Sequence, residues 1–213
     1  AKDGEVFQIG DLSITVIHTP GHTMESTCYL LKDSKGKQIA LFTGDTLFIG
    51  DVGRPDLAQK SADMTKEDLA GMLYESIRTK LLPLEDDLIV YPAHGAGSAC
   101  GKNMSKETFS TLGEQKRTNY ALNPDLSKSD FVNELIRGLL PPPGYFGMNV
   151  SLNKSGYENI NEVINRGLTP LNVEKFKELS AKDDILILDT RKAGEFSKGH
   201  IPGSLFVGLE GQF

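Results

Sequence analysis

The sequence predicts an α/β layered fold over residues 1–140 and a second, smaller α/β unit over residues 157–213, with residues 141–156 as the linker. Three observations carry this prediction. Short strand patterns crowd the first 50 residues, and amphipathic helical patterns follow with one more strand among them, the order expected of helices layered on a sheet. Pro141-Pro142-Pro143-Gly144 then interrupts the chain, because three prolines hold the backbone extended and remove its hydrogen-bond donors. Beyond it, helical patterns resume ahead of an unbroken apolar run of the kind found in buried parallel strands.

Taken in order, Leu12-Ser13-Ile14-Thr15-Val16-Ile17 alternates apolar with polar residues until Thr19-Pro20-Gly21 breaks it. Cys28-Tyr29-Leu30-Leu31 is a second strand, and Asp33-Ser34-Lys35-Gly36-Lys37 a hairpin turn. Ile39-Ala40-Leu41-Phe42 follows and stops at Gly44. Thr65 opens a helix as its N-cap, with an acid three residues on; Leu69, Met72, Leu73 and Ile77 recur at helical spacing and Pro83 marks the stop. Leu88-Ile89-Val90-Tyr91 is another strand, ended by Pro92, and two helices are expected over residues 106–119 and 129–139. In the second unit, helical patterns cover 157–166 and 173–180, and Ile185-Leu186-Ile187-Leu188 is the apolar strand.

Composition narrows the function classes. The 213 residues carry 29 acidic against 23 basic side chains, a formal charge of −6, with 38% hydrophobic and 24% charged residues. Lys and Arg are scattered rather than striped, so neither a nucleic acid nor an anionic membrane is an expected partner. No apolar run approaches the ~18 residues of a bilayer span. The opening Ala1-Lys2-Asp3-Gly4-Glu5 lacks the basic-then-apolar pattern of a signal peptide. Two widely separated cysteines, Cys28 and Cys100, make no disulfide framework, and a reducing cytoplasm is the expected location. The abrupt start, without Met, reads as that of a fragment. Oligomeric state is left open, a homo-oligomer among the options.

The chemistry-bearing residues gather at strand ends. Pro20 and Gly21 exclude a helix between His18 and His22, so His22 leaves the end of a strand through a tight turn. Ala40-Leu41-Phe42-Thr43-Gly44-Asp45 repeats the pattern with a carboxylate, and Leu88-Ile89-Val90-Tyr91-Pro92-Ala93-His94 with another His. Strand ends of layered α/β folds form one rim, where ligand sites lie. His22, Asp45 and His94 are therefore candidate metal ligands, against the alternatives that Asp45 caps a turn and His94 is a core histidine. Gly95-Ala96-Gly97-Ser98-Ala99-Cys100-Gly101-Lys102 lacks the glycine and hydroxyl spacing of a phosphate loop. It would shape a substrate mouth, with Cys100 exchanging sulfane sulfur if Lys102 favours its thiolate. Cys28, inside an apolar strand, belongs to the core.

Thr19-Pro20-Gly21-His22-Thr23, Phe42-Thr43-Gly44-Asp45-Thr46-Leu47-Phe48 and Tyr91-Pro92-Ala93-His94 resemble, in order, the later metal-binding motifs of the metallo-β-lactamase superfamily. Gly53-Arg54-Pro55-Asp56-Leu57 and Pro92-Ala93-His94-Gly95-Ala96-Gly97-Ser98 are similar to its persulfide dioxygenase branch, and more particularly to the bacterial fusions of that enzyme with rhodanese domains. The likeness implies the C-terminal portion of an αββα sandwich followed by a partial rhodanese-like domain. It implies Fe(2+) held by two His and one Asp, with His22 and Asp45 among the ligands and open positions for dioxygen and a substrate sulfur. His94 then matches a ligand of the second metal in dinuclear relatives and sits beside the iron in this branch. Arg54, with Asp56, would orient groups around the metal, against the alternative of a solvated surface pair. The first His of the triad belongs to an H-x-H-x-D-H motif that the chain lacks, so the segment as given is expected to be inactive unless upstream residues are restored.

Ile187-Leu188-Asp189-Thr190-Arg191 with Glu195-Phe196, and Gly199-His200-Ile201-Pro202-Gly203-Ser204, resemble the two opening signatures of rhodanese domains. Asp189 and Arg191 would pair at a buried strand end and His200 would be structural. No cysteine lies between residues 101 and 213, so this part carries no sulfurtransferase nucleophile. The function implied is oxidation of a low-molecular-weight thiol persulfide by O2 to sulfite, coupled to sulfur transfer. The alternatives are a Zn(2+)-dependent thioester hydrolase of the glyoxalase II type, and a sulfur carrier or scaffold whose metal site has decayed.

Overall fold

In the computed structural model, residues 1–59, 63–142 and 144–209 are described. Pro143 of the proline run and Phe213, where the partial second unit is expected to stop, lie outside them. The chain divides into two compact units, Ala1–Gly156 and Tyr157–Phe213.

The first unit is built on a six-stranded sheet in sequential order: β1 (Val6–Ile9), β2 (Leu12–His18), β3 (Thr27–Lys32), β4 (Gln38–Gly44), β5 (Ile89–Pro92) and β6 (Ser110–Thr111). Every neighbouring pair is antiparallel except β4 and β5. The β3–β4 turn is closed by Asp33, whose Oδ1 accepts from the Lys35 and Lys37 amides, an Asx turn. Parallel strands cannot be joined by a tight turn, so the chain crosses from β4 to β5 through helix α1 (Lys66–Ser76) and a π-helical turn, Ile77–Leu81.

The start of α1 is a capping box, as its sequence predicts. The Thr65 hydroxyl accepts from the Asp68 amide at 3.1 Å, and the Asp68 carboxylate accepts from the Thr65 amide at 3.2 Å. Thr65→Ala is expected to cost about 1 kcal/mol, read as a lower urea midpoint at unchanged slope; an unmoved midpoint would show that tertiary packing alone sets this helix.

Ala70 and Leu73 of α1, with Ile77 of the π-helical turn, share one core with Cys28, Leu30, Leu41 and Val90 of the sheet. Helices α2 (Leu112–Thr118) and α3 (Lys128–Ile136) add Leu112, Phe131 and Leu135 to the same core. The opposite sheet face presents Tyr29, Phe42 and Tyr91 in register across β3, β4 and β5, all partly exposed, with the rings of Phe42 and Tyr91 stacked at 5.7 Å.

Several expectations are corrected. Strand β1 has no clear alternation and is exposed throughout; its pairing with β2 creates it. The helix expected over 106–119 begins only at Leu112, because Ser110 and Thr111 pair with Val90 and Ile89 and the Thr111 side chain then caps α2 through the Glu114 amide. The helix expected over 129–139 ends at Ile136, and Arg137 turns to extended backbone. Within the segment assigned to the linker, Phe146–Ser155 form helix α4.

The second unit contains α5 (Ile160–Gly167), α6 (Val173–Ser180), β7 (Leu188–Asp189), α7 (Ala193–Phe196) and β8 (Leu205–Phe206). Strands β7 and β8 are parallel. The run at 185–188 was expected to be a buried strand, yet only Leu188 enters the sheet and Leu186 is 62% exposed: a ladder two residues long buries little among the described residues. Asp189 and Arg191 do pair, at 2.6 Å, and Arg191 also donates to the Gly199 carbonyl, bracing the next loop. Arg191 is nevertheless exposed, so this is not the buried pair expected. His200 bonds to the Phe196 carbonyl and stacks on its ring at 4.0 Å, a structural role. No helix among the described residues is long and apolar enough to cross a membrane.

Candidate metal centre

Topology brings three strand ends together. Strand β2 is antiparallel to β3 and β3 to β4, so β2 runs with β4, and β5 is parallel to β4. The turns after β2, β4 and β5 therefore leave from the same sheet edge, and they carry His22, Asp45 and His94. At Gly21 the first turn presses against α1: an added Cβ would lie 2.5 Å from the Leu73 amide nitrogen, and φ is +147°, so glycine is required there. His18 stays outside the cluster; its Nε2 bonds to the Met24 carbonyl at 2.8 Å and braces the turn that presents His22.

Asp45 stands between the two imidazoles. Its Oδ2 lies 3.2 Å from His22 Nε2 and its Oδ1 3.2 Å from His94 Nε2. Burial works to raise the Asp45 carboxyl, and the two imidazoles, His22 foremost, outweigh it and hold the group below its ordinary value. His22 is 8% exposed, and its Nδ1 lies 2.8 Å from the Arg54 carbonyl. A carbonyl only accepts, so Nδ1 carries the hydrogen. In the neutral ring Nε2 is then a bare lone pair aimed at a carboxylate oxygen. Two acceptors this close need a cation or an added proton between them, and an imidazole fixed through its far nitrogen is the usual arrangement of a metal ligand. The donor set thus fits a divalent ion held by His22 and Asp45. His94 packs on the Phe48 ring at 4.7 Å, and its buried Nδ1 has no hydrogen-bond partner.

Arg54 is not the solvated surface residue of the alternative reading. It is 6% exposed and grips Asp56 with two bonds, Nε to Oδ1 at 2.7 Å and Nη2 to Oδ2 at 2.6 Å. It also donates to the carbonyls of Ala99 and Leu140. The residue therefore orients His22 through its backbone and holds the 99–100 loop through its side chain.

Cys100 lies beside the cluster. A carboxylate oxygen of Asp45, a ring nitrogen of His94 and the Cys100 sulfur all fall within 4.8 Å of one another. The expectation that Lys102 favours the thiolate is overturned. Lys102 Nζ donates to the Glu134 and Arg137 carbonyls at the end of α3, while burial, reinforced by the Asp45 charge, pushes the Cys100 thiol above its ordinary value against the Ser98 hydroxyl. Cys28 is fully buried in the core, its thiol pushed up to about 11 by burial.

Sequence reasoning missed Asp51. This carboxylate is 1% exposed and accepts from the amides of Val52, Lys102 and Asn103, fixing the far side of the Cys100 loop. An acid directly after the apolar run Leu47-Phe48-Ile49-Gly50 was the available signal.

Residues 1–94 match the metallo-beta-lactamase superfamily and residues 172–212 the rhodanese-like domain. The chain is 33% identical over 122 residues to the hydroxyacylglutathione hydrolase GloC of Haemophilus influenzae, covering 57% of this chain and 46% of that protein. It is 31% identical over 154 residues to the mitochondrial persulfide dioxygenase ETHE1 of Bos taurus, covering 71% and 51%. It thus spans about half the length of these relatives. The crystal structure of a metallo-beta-lactamase from Staphylococcus aureus superposes with a TM-score of 0.70 at 30% identity, covering 99% of this chain and 56% of that one. With the matched residues and these relatives in agreement, residues 1–94 belong to a metallo-β-lactamase superfamily domain and residues 172–212 to a rhodanese-like domain.

Proposed function

We propose that this chain is part of a cytoplasmic non-haem iron enzyme that oxidises a low-molecular-weight thiol persulfide. The overall change balances as RSSH + O2 + H2O giving RSH, sulfite and two protons. The observation that carries the reading is His22 with its Nδ1 fixed on a carbonyl and its Nε2 3.2 Å from the Asp45 carboxylate. The likeness to a persulfide dioxygenase, which extends over 71% of the chain, supports it. When bound to His22 and Asp45, Fe(2+) would supply the redox chemistry by which dioxygen reacts with sulfur.

The protein's own part is positioning. The Arg54 carbonyl keeps the His22 ring in one tautomer and one orientation. Asp45, ionised between the imidazoles, offers one oxygen to each side. His94, left free of iron, would stand beside an incoming persulfide with its Nε2 on the second Asp45 oxygen, and the Phe48 ring holds its orientation. The rhodanese-like unit would deliver or receive sulfane sulfur.

A second reading has its own observation: a carboxylate with one oxygen toward each of two imidazoles is also suited to bridging two zinc ions. Thioester hydrolysis would use such a pair, and a hydrolase is among the relatives. The full-length protein, loaded with iron and given glutathione, coenzyme A and bacterial thiol persulfides, is expected to take up oxygen and release sulfite with at least one. Hydrolysis of S-lactoylglutathione, with no oxygen uptake on any persulfide, would transfer the assignment to the hydrolase.

A further inference from the structure

We propose that Asp51, a buried carboxylate outside the metal-binding set, is the positioning residue for His22. It holds the loop to which the Arg54 peptide is bonded, and that peptide fixes the imidazole. This rests on His22 being a metal ligand, and on neither of the two reactions. Asp51 is 1% exposed. Taking a carboxylate out of water is costly unless its oxygens find donors, and here the donors are main-chain amides. Oδ1 accepts from Val52 at 2.8 Å, and Oδ2 from Lys102 and Asn103 at 2.6 and 2.7 Å.

The bonds continue in series towards the metal side. Two residues before Lys102, the Cys100 carbonyl accepts from the Arg54 amide at 2.9 Å. The Arg54 carbonyl in turn lies 2.8 Å from His22 Nδ1. The covalent route from Asp51 to Arg54 passes through Gly53, the residue type that least constrains the direction of its neighbours, so the loop is the stiffer route. Asp51 is itself anchored. Its carbonyl accepts from the Phe48 amide at 2.9 Å and from Asn119 Nδ2 at 3.0 Å. Gln115, one turn earlier on α2, accepts from the Gly50 amide at 2.8 Å. Both of these side chains are 2% exposed. The His22 ring is therefore tied, bond by bond, to the end of α2. A ring held in one orientation before an ion arrives loses less freedom on coordination.

Co(2+) binding by the full-length protein tests this. A histidine bound through Nε2 keeps its Nδ1 proton, seen by NMR as a paramagnetically shifted signal that fades in D2O. The His22 signal is assigned by its absence from His22→Gln, and its bond to the Arg54 carbonyl slows the fading. Asp51→Ala leaves three amides without an acceptor, and is expected to speed that exchange about tenfold and weaken Co(2+) binding about 10–100-fold. Asp51→Asn is expected to recover most of both, because one carboxamide oxygen can still serve Lys102 and Asn103. Wild-type exchange and affinity in Asp51→Ala overturn the proposal, and so does Asp51→Asn as impaired as Asp51→Ala, which would make charge the cause. Should Asp51→Ala not fold, native-state hydrogen exchange of the wild type decides. The amides of Arg54, Lys102 and Asn103 are expected to open together, with protection equal within about threefold; an Arg54 amide that opens separately overturns the proposal. The two levels separate cleanly. A Co(2+)-loaded wild type without the His22 signal removes His22 as a ligand and this role of Asp51 with it. A signal indifferent to Asp51 removes the role alone and leaves the metal centre standing.

Discussion

Arg54→Ala is expected to lower the unfolding free energy by about 3–5 kcal/mol, the loss typical of removing one partner of a buried ion pair. The Arg54 and Asp56 side chains are 7% and 9% exposed, so the Asp56 carboxylate would remain out of water without its counter-ion. The guanidinium makes two parallel bonds to that carboxylate and reaches two carbonyls from loops distant in sequence. Lysine, a point charge with no planar fork, cannot reproduce that set, and Arg54→Lys should recover only part of the loss. The double variant Arg54→Met/Asp56→Leu separates charge from position. An apolar replacement of a buried pair is often close to neutral in stability, but it would leave the Ala99 and Leu140 carbonyls without their donor and let the Cys100 loop drift. Urea unfolding followed by near-ultraviolet circular dichroism measures the first effect and Co(2+) affinity the second. A loss below about 1 kcal/mol in Arg54→Ala, the worth of a solvated pair, would rule out the clamp.

The parts of this site legible in the sequence are those fixed by short-range rules. The alternating β2 and the apolar runs β4 and β5 are each stopped by glycine or proline, and one metal-capable residue follows each stop; strand direction alone then places His22, Asp45 and His94 at one edge. Thr65 and Asp68 announce α1 because a capping box is complete within four residues. What escaped was fixed by distant partners. Lys102 is two residues from Cys100, yet its ammonium binds the end of α3, some 32 residues on, so proximity in sequence gave the wrong neighbour. Asp51 shapes the Cys100 loop from 51 residues away. The residues before Leu112 lost their helical expectation to a two-residue pairing with β5, a tertiary override of local propensity. Arg54 was equally ambiguous: burial, invisible in the sequence, decides between a solvated pair and a clamp.

Gly53→Ala is expected to disrupt the centre from the backbone side, and by a different route. A Cβ at this position would lie far inside contact distance of the Asp45 carbonyl oxygen, and 2.9 and 3.0 Å from Nδ1 and Cβ of His22. None of these is the free end of a flexible chain. The first is backbone, and the His22 ring is held by the carbonyl of the adjacent Arg54. Relief therefore requires the turn after β4 to move away from the turn after β2, carrying Asp45 from His22. Overpacking of this kind costs roughly 3 kcal/mol, and displaced support around metal ligands weakens binding about 10–100-fold. Gly97→Ala offers a control for adding a methyl to a nearby loop glycine, because no atom lies within 4 Å of its added Cβ, although its φ of +97° carries a backbone penalty of its own. Metal affinity should accordingly fall in Gly53→Ala far more than in Gly97→Ala at matched stability. Equal affinities in the two variants would mean that the approach of the two turns does not set the distance between His22 and Asp45.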